Sequence, residues 1–369
     1  MAEAAVSKES RASTPQVSII DCDIHNAVPG LEALFPYLSE RWRQHARTIG
    51  LRGRTALAEG FEYPRGTVNA CRVDAWPASG PPGSDLALMQ GQLLDPLGIA
   101  VGVLNCLTRV GVQLNHEWGA ALAQAVNEWQ VAEWLDKEPR LRASIVIPYE
   151  DPEAAAKEIR RAGRLHRGFV QALITARTRE PLGRPQYRPI FEAASELGLP
   201  IGVHFGGIGG NAVTPCGWPS FYLEDHTGMS FAFQAQLVSI VLEGVFERLP
   251  QMKVVLVEGG FAWIPPLMWR MDQHWRRLRA ETPYLRKTPS DYVRTNVVLT
   301  TQPMEEPENP RHLLDLLEMM AGGPKLMFAT DYPHWDFDSP VDAFPRELPQ
   351  ETIDDVMWRT AKALYNLEI

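Results

Sequence analysis

Eight short apolar runs, each followed by a helical segment, constrain this chain more than any other feature. They begin near residues 17, 99, 142, 168, 200, 253, 296 and 325. The runs are continuously apolar and do not alternate, as in Lys253-Val-Val-Leu-Val-Glu258. That is the pattern of parallel strands buried on both faces. Between them, apolar residues recur at helical spacing, for example Leu122, Val126, Trp129 and Trp134 within 117–138. The stretches 152–163 and 185–198 open with proline and close at glycine, as helices do. Eight β/α units in succession predict one (β/α)8 TIM barrel spanning residues 17–369. A doubly wound open sheet is the competing arrangement. No Gly-x-Gly-x-x-Gly follows the first run, so the nucleotide-binding form of that fold has little support.

Two long insertions interrupt the alternation. Residues 26–98 are rich in Pro, Gly and Arg and are expected to cover or shape a site. A second, Gly-rich and aromatic, insertion occupies 206–226 after the fifth strand. Residues 1–16 are small, polar and mixed in charge and are expected to form a disordered tail. No apolar run approaches the ~20 residues that span a bilayer, and the N-terminus lacks the apolar core of a signal peptide. A cytoplasmic protein is therefore expected. The formal charge of -9 argues against nucleic acid or an anionic membrane as partner, because both favour a basic face. Cys22, Cys71, Cys106 and Cys216 show no pairing pattern and read as free thiols.

In a (β/α)8 barrel the site lies at the C-terminal ends of the strands. Here those ends carry Asp23 and His25, then His204, Glu258 and Asp331. Asp23 and His25 are two apart, which puts both on one face of an extended strand. Three carboxylates at one mouth repel each other unless a cation neutralises them. The mixture of N and O donors suits Zn²⁺, Fe²⁺ or Mn²⁺. Each residue also has a plain structural reading. Asp-x-His can start a loop, His204 can sit in the core, Glu258 can cap a helix and Asp331 can start a turn. Coincidence at four strand tips is much less probable than at any one.

Glu258 and His226 are further candidate ligands, and with them two ions in place of one are conceivable. His334, three residues after Asp331, is expected to support the site or carry protons. Trp218, Tyr222, Trp263 and Trp335 are candidate pocket walls, and Arg109 at the end of the second strand is a candidate partner for a substrate anion.

These residues resemble the amidohydrolase superfamily, specifically the amidohydrolase-related group that includes aminocarboxymuconate-semialdehyde decarboxylase and the hydroxybenzoate-type decarboxylases. The likeness runs from about residue 17 to 367. It is carried by Asp23-x-His25, by Gly202-Val-His204-Phe-Gly and most specifically by Thr330-Asp331-Tyr-Pro-His334. The resemblance implies one divalent metal held by Asp23, His25, His204 and Asp331, and often a homodimer. Two departures stand out. The first-strand motif is usually His-x-His, and the sixth strand usually ends in a histidine that acts as acid/base in the decarboxylases. This chain has Asp23 and Glu258.

The glutamate favours hydrolysis. The expected enzyme is a metal-dependent hydrolase that uses activated water to cleave an ester, thioester, lactone or amide of a bulky, largely apolar small molecule, with Asp331 or Glu258 as base and His334 assisting the leaving group. The alternative is a metal-dependent non-oxidative decarboxylase of an aromatic or enoic acid. A catalytically inactive barrel serving as a binding module is the third reading.

Overall fold

The computed structural model describes residues 18–49, 70–207, 216–345 and 347–368. The expected tail 1–16 lies outside the described residues, as do 50–69 of the first insertion and 208–215 of the second. Eight strands form one sheet: β1 (Ile19–Ile24), β2 (Ile99–Leu104), β3 (Leu141–Val146), β4 (Phe169–Arg177), β5 (Ile201–Gly207), β6 (Val254–Val257), β7 (Val297–Thr300) and β8 (Lys325–Met327). They pair in chain order, each parallel to the next. Hydrogen bonds between β1 and the residues just after β8 bring the two edges together. Cys22 N donates to Phe328 O at 2.9 Å, Asp331 N to Asp23 O at 3.0 Å and His25 N to Tyr332 O at 2.7 Å. This is the expected (β/α)8 barrel, and the closure itself places Asp331 beside Asp23.

The outer helices pack apolar stripes on the strands. Pro152–Leu165 buries Ala155, Ala156, Ile159 and Ala162, and Asp151 caps it by accepting from Ala154 N at 3.2 Å. The helix runs through Gly163, where the sequence suggested an end. A Cβ at Gly163 would lie 2.7 Å from Leu197 Cδ1, so the glycine serves a close packing contact and is no terminus. The stretch 230–249 divides into Ser230–Leu242 and Val245–Arg248 around Gly244, whose φ is 73°. The last helical stretch ends in Thr360–Tyr365, and its Tyr365 and Leu367 join an apolar cluster with Ile20, Val101, Val103, Val255 and Met327 of the barrel strands. Among the described residues no helix is long and apolar enough to cross a membrane.

One charged cluster ties the first insertion to the barrel. The buried Glu138 carboxylate accepts from Arg140 Nε at 2.9 Å and Nη2 at 2.7 Å, and from Gln90 Nε2 at 2.8 Å. The Arg140 hydrogen bonds hold this carboxyl at about 2, from an ordinary 4.5. A carboxyl with a lowered folded-state pKa stabilises the fold above its unfolded value and loses that contribution as pH falls towards the folded one. Glu138→Gln is therefore expected to cost about 1–2 kcal/mol at pH 7, discounted for the partial exposure of Arg140. The gap should close between pH ~4.5 and ~2. Urea midpoints of both proteins at pH 7 and pH 3 test this, and an equal gap at the two values would rule it out.

Candidate metal centre

Four side chains converge at the C-terminal end of the barrel. Asp23 belongs to β1 and His25 follows it directly; His204 lies on β5, and Asp331 comes just after β8. His25 Nδ1 donates to Asn105 O at 2.7 Å, and His204 Nδ1 to Phe205 O at 2.8 Å. A carbonyl oxygen only accepts, so both rings carry the proton on Nδ1 and turn Nε2 inward. His25 Nε2 lies 2.8 Å from Asp331 Oδ1 and 3.5 Å from Asp23 Oδ1, and His204 Nε2 lies 3.2 Å from Asp23 Oδ2. The four residues are buried, and each offers one donor atom within 4.8 Å of the others.

The donor set fits a divalent cation. Asp331 Oδ2 is buried among these atoms with no hydrogen-bond partner among the described residues, and a buried carboxylate oxygen left in that state is costly. Burial opposes a charge on His25, yet the Asp23 and Asp331 carboxylates outweigh it and push the imidazole up to about 9. The same carboxylate field favours a divalent cation. Burial also works against ionised Asp331, but His334 and His25 hold its carboxyl well below the usual range.

Glu258 and His334 form a second group around the same aspartate. Glu258 follows β6, and with Asp331 and His334 it makes a three-donor set within 4.8 Å. Its Oε2 lies 3.4 Å from His204 Nδ1, and His334 Nδ1 lies 2.6 Å from Asp331 Oδ1. Burial first, and then the charges of Asp331, Asp23 and Asp336, push the Glu258 carboxyl well above its ordinary range. Glu258 and Asp331 both have a φ of 61°. Left-handed backbone at non-glycine residues is strained, and here it aims two carboxyls from separate strand tips into one space.

His226, a candidate ligand from sequence, lies in neither donor group. It sits on the short helix Tyr222–Thr227, and its Nε2 is 3.0 Å from Asp336 Oδ2. Its ring also packs near those of Tyr222 and Trp335, with centroids 5.5 Å away in each case. Trp335 Nε1 donates to Tyr222 OH at 3.2 Å, and the charges of Asp336, Glu258 and Asp331 all act on the Tyr222 phenol. These three side chains therefore form part of the rim. Trp263 instead packs against the core and donates from Nε1 to Gly259 O at 2.9 Å. Trp218 is half-buried and Arg109 is exposed, with Arg109 close enough for its charge to act on the Tyr149 phenol.

A family model described as amidohydrolase matches residues 20–367. The chain belongs to the amidohydrolase family. Among curated proteins, this amidohydrolase is 25% identical over 340 residues to gamma-resorcylate decarboxylase of a Rhizobium species, covering 86% of this chain and 99% of the relative. Solved structures that share its fold include two with bound manganese. One is 5-carboxyvanillate decarboxylase from Novosphingobium aromaticivorans, complexed with manganese and 4-hydroxy-3-methoxy-5-nitrobenzoic acid. It has a TM-score of 0.69 and 21% identity, covering 95% of this chain and 97% of that one. The other is dihydroxybenzoic acid decarboxylase from a Polaromonas species with manganese and 2-nitroresorcinol. Its TM-score is 0.65 at 20% identity, with the same coverage of 95% and 97%.

These relatives overturn the expected hydrolysis. Curated proteins that match this amidohydrolase over 86% of its chain are named decarboxylases, and Glu258 in place of a histidine does not make it an enzyme of ester, thioester, lactone or amide cleavage. Manganese, not iron or zinc, is the metal named in the two related structures.

Sequence reasoning passed over Asn105, Asp21 and Asp336. Asn105 stands where the apolar run of β2 stops, and Asp21 starts the Asp-x-Asp-x-His stretch, so each had a local signal. Asp21 is fully buried, accepts from Thr330 N at 3.0 Å and Oγ1 at 2.5 Å, and is pushed up to about 7 by burial against those hydrogen bonds. It ties β1 to the Thr330-Asp331 turn.

Proposed function

We propose that this amidohydrolase is a metal-dependent, non-oxidative decarboxylase of an aromatic or enoic carboxylic acid. The observation that carries the reading is the match to gamma-resorcylate decarboxylase over 99% of that relative, and the Asp23, His25, His204 and Asp331 donor set supports it. A divalent ion there, manganese by analogy with the related structures, would supply positive charge to hold the substrate's carboxylate and a neighbouring oxygen.

The rest falls to the chain's own side chains. The bond from the substrate carbon to its carboxylate breaks, CO2 leaves, and one proton must reach that carbon. Glu258 is the proposed donor. It stands at the strand tip where the resembling decarboxylases carry a histidine acid/base, and it shares its space with Asp331 and His334. His334 is the proposed route for the proton's return, because it touches Asp331 and its side chain is 22% exposed while Asp331 is fully buried. Asp331 holds His334 in place. Tyr222 and Trp335 cover the rim, which favours a flat apolar substrate and limits water at the reacting carbon.

The test is incubation of the manganese-loaded protein with a panel of ortho-hydroxybenzoic and enoic acids, following CO2 and the decarboxylated product together. Equimolar appearance of both from at least one acid is expected. Loss of carboxylate from none of them would sink the proposal.

A further inference from the structure

We propose that Asn105 is the positioning residue for Asp23 and His25, and that a hydrogen-bond chain entering from Tyr365 holds its amide in the direction that Asp23 requires. Asn105 makes four hydrogen bonds to β1 and His25. Its backbone N donates to Ile24 O at 2.7 Å, and its backbone O accepts from His25 Nδ1 at 2.7 Å. Its Nδ2 donates to Asp23 Oδ1 at 2.8 Å and to Cys22 O at 3.2 Å. One residue therefore sets the ring orientation of His25 and the rotation of the Asp23 carboxylate. Partners of this kind, hydrogen-bonded to the ligands of a metal, tune its affinity.

An asparagine amide can sit either way round, and Asp23 is served only if Nδ2 faces it. Asp23 Oδ1 and Cys22 O only accept, so Nδ2 must face them, and the chain behind Asn105 is polarised to match. Tyr365 OH donates to Gln171 Oε1 at 2.9 Å, which leaves the Gln171 amide nitrogen to donate onward. Gln171 Nε2 donates to Ser144 Oγ at 2.9 Å and to Asn105 Oδ1 at 3.1 Å. Ser144 Oγ, with one lone pair committed, donates to Asn105 Oδ1 at 2.5 Å. Oδ1 thus accepts twice, and Nδ2 is turned to Asp23. Asn105, Ser144 and Gln171 are fully buried and Tyr365 nearly so, so no solvent competes for these bonds. The last helix, through one phenol, has a defined connection to the metal centre.

This inference rests on the metal centre and not on which bond the enzyme breaks, so its test reads metal binding alone. Manganese dissociation constants are measured by chelator competition on the full-length protein, with melting curves of the metal-free forms alongside. Asn105→Leu keeps the approximate size and removes the donor facing Asp23 without adding a charge that would itself attract the cation. It should weaken binding by about 10–100-fold. Tyr365→Phe removes only the hydroxyl and should weaken binding by about 3–10-fold, less than that range because Ser144 still donates to Asn105. Gln171→Leu, which removes the amide N–H but leaves Ser144, should fall between the two. Wild-type dissociation constants in all three, whatever happens to their melting temperatures, would overturn the proposal. A change in Asn105→Leu with none in Tyr365→Phe and Gln171→Leu would overturn the chain.

Discussion

Asp331→Asn should fold and fail to hold metal. Asparagine preserves the size of the side chain and tolerates the left-handed backbone at this position, where φ is 61°, better than alanine would. What it removes is one of two carboxylates in the four-donor set and the negative charge facing His25 Nε2 at 2.8 Å and His334 Nδ1 at 2.6 Å. The loss should exceed the 10–100-fold that removing an outlying partner of a ligand costs, so metal affinity is expected to drop by more than about 100-fold. Decarboxylation should drop with it by at least about 1,000-fold at limiting metal, roughly 4 kcal/mol of transition-state stabilisation. Elemental analysis of protein purified without added metal reads the first effect directly. A variant that retains the wild-type ion content would show that Asp331 is no ligand. The wild-type count also separates one ion on Asp23, His25, His204 and Asp331 from a second on Glu258, Asp331 and His334.

The barrel and the candidate ligands were legible for the same reason. Strands buried on both faces leave uninterrupted apolar runs such as Val254–Val257, and such a run stops where the strand leaves the core. The polar residue at the stop is then conspicuous, which is how Asp23, His25, His204, Glu258 and Asp331 stand out together. Residues whose role depends on a distant partner give no such signal. Ser144 and Gln171 sit inside apolar strands, and nothing near them in sequence points to Asn105. Tyr365 lies 194 positions from the Gln171 side chain it bonds. Asp336 is one polar residue among several after His334 until the fold sets it against His226 at 3.0 Å. Gly163 shows the converse error, because a glycine near a helix end suggests a stop even when its missing side chain admits Leu197. The choice of reaction was illegible for a chemical reason. Hydrolysis and decarboxylation can start from the same ion and the same carboxylates, so a list of donors does not divide them.

Glu258→Gln should separate binding from chemistry. Gln keeps the length of the side chain and one of its two oxygens but has no ionisable proton to give to carbon. Glu258 lies outside the four-donor group and approaches it at Asp331 and at His204 Nδ1, 3.4 Å away. Manganese content and KM are therefore expected to stay near wild type, while kcat falls by about 100- to 10,000-fold, the range for loss of a general acid. Glu258→His provides the discriminating companion. Histidine carries a transferable proton, and it tolerates a φ of 61° better than most residues do. The resembling decarboxylases also place it at this strand tip, so the variant should regain a measurable part of the lost kcat. If Gln and His variants lose metal in step with activity, Glu258 is a ligand and the proton comes from elsewhere. If neither loses activity, His334 remains as the group with both contact to Asp331 and access to solvent. Glu258 would then have only a packing role at the tip of β6.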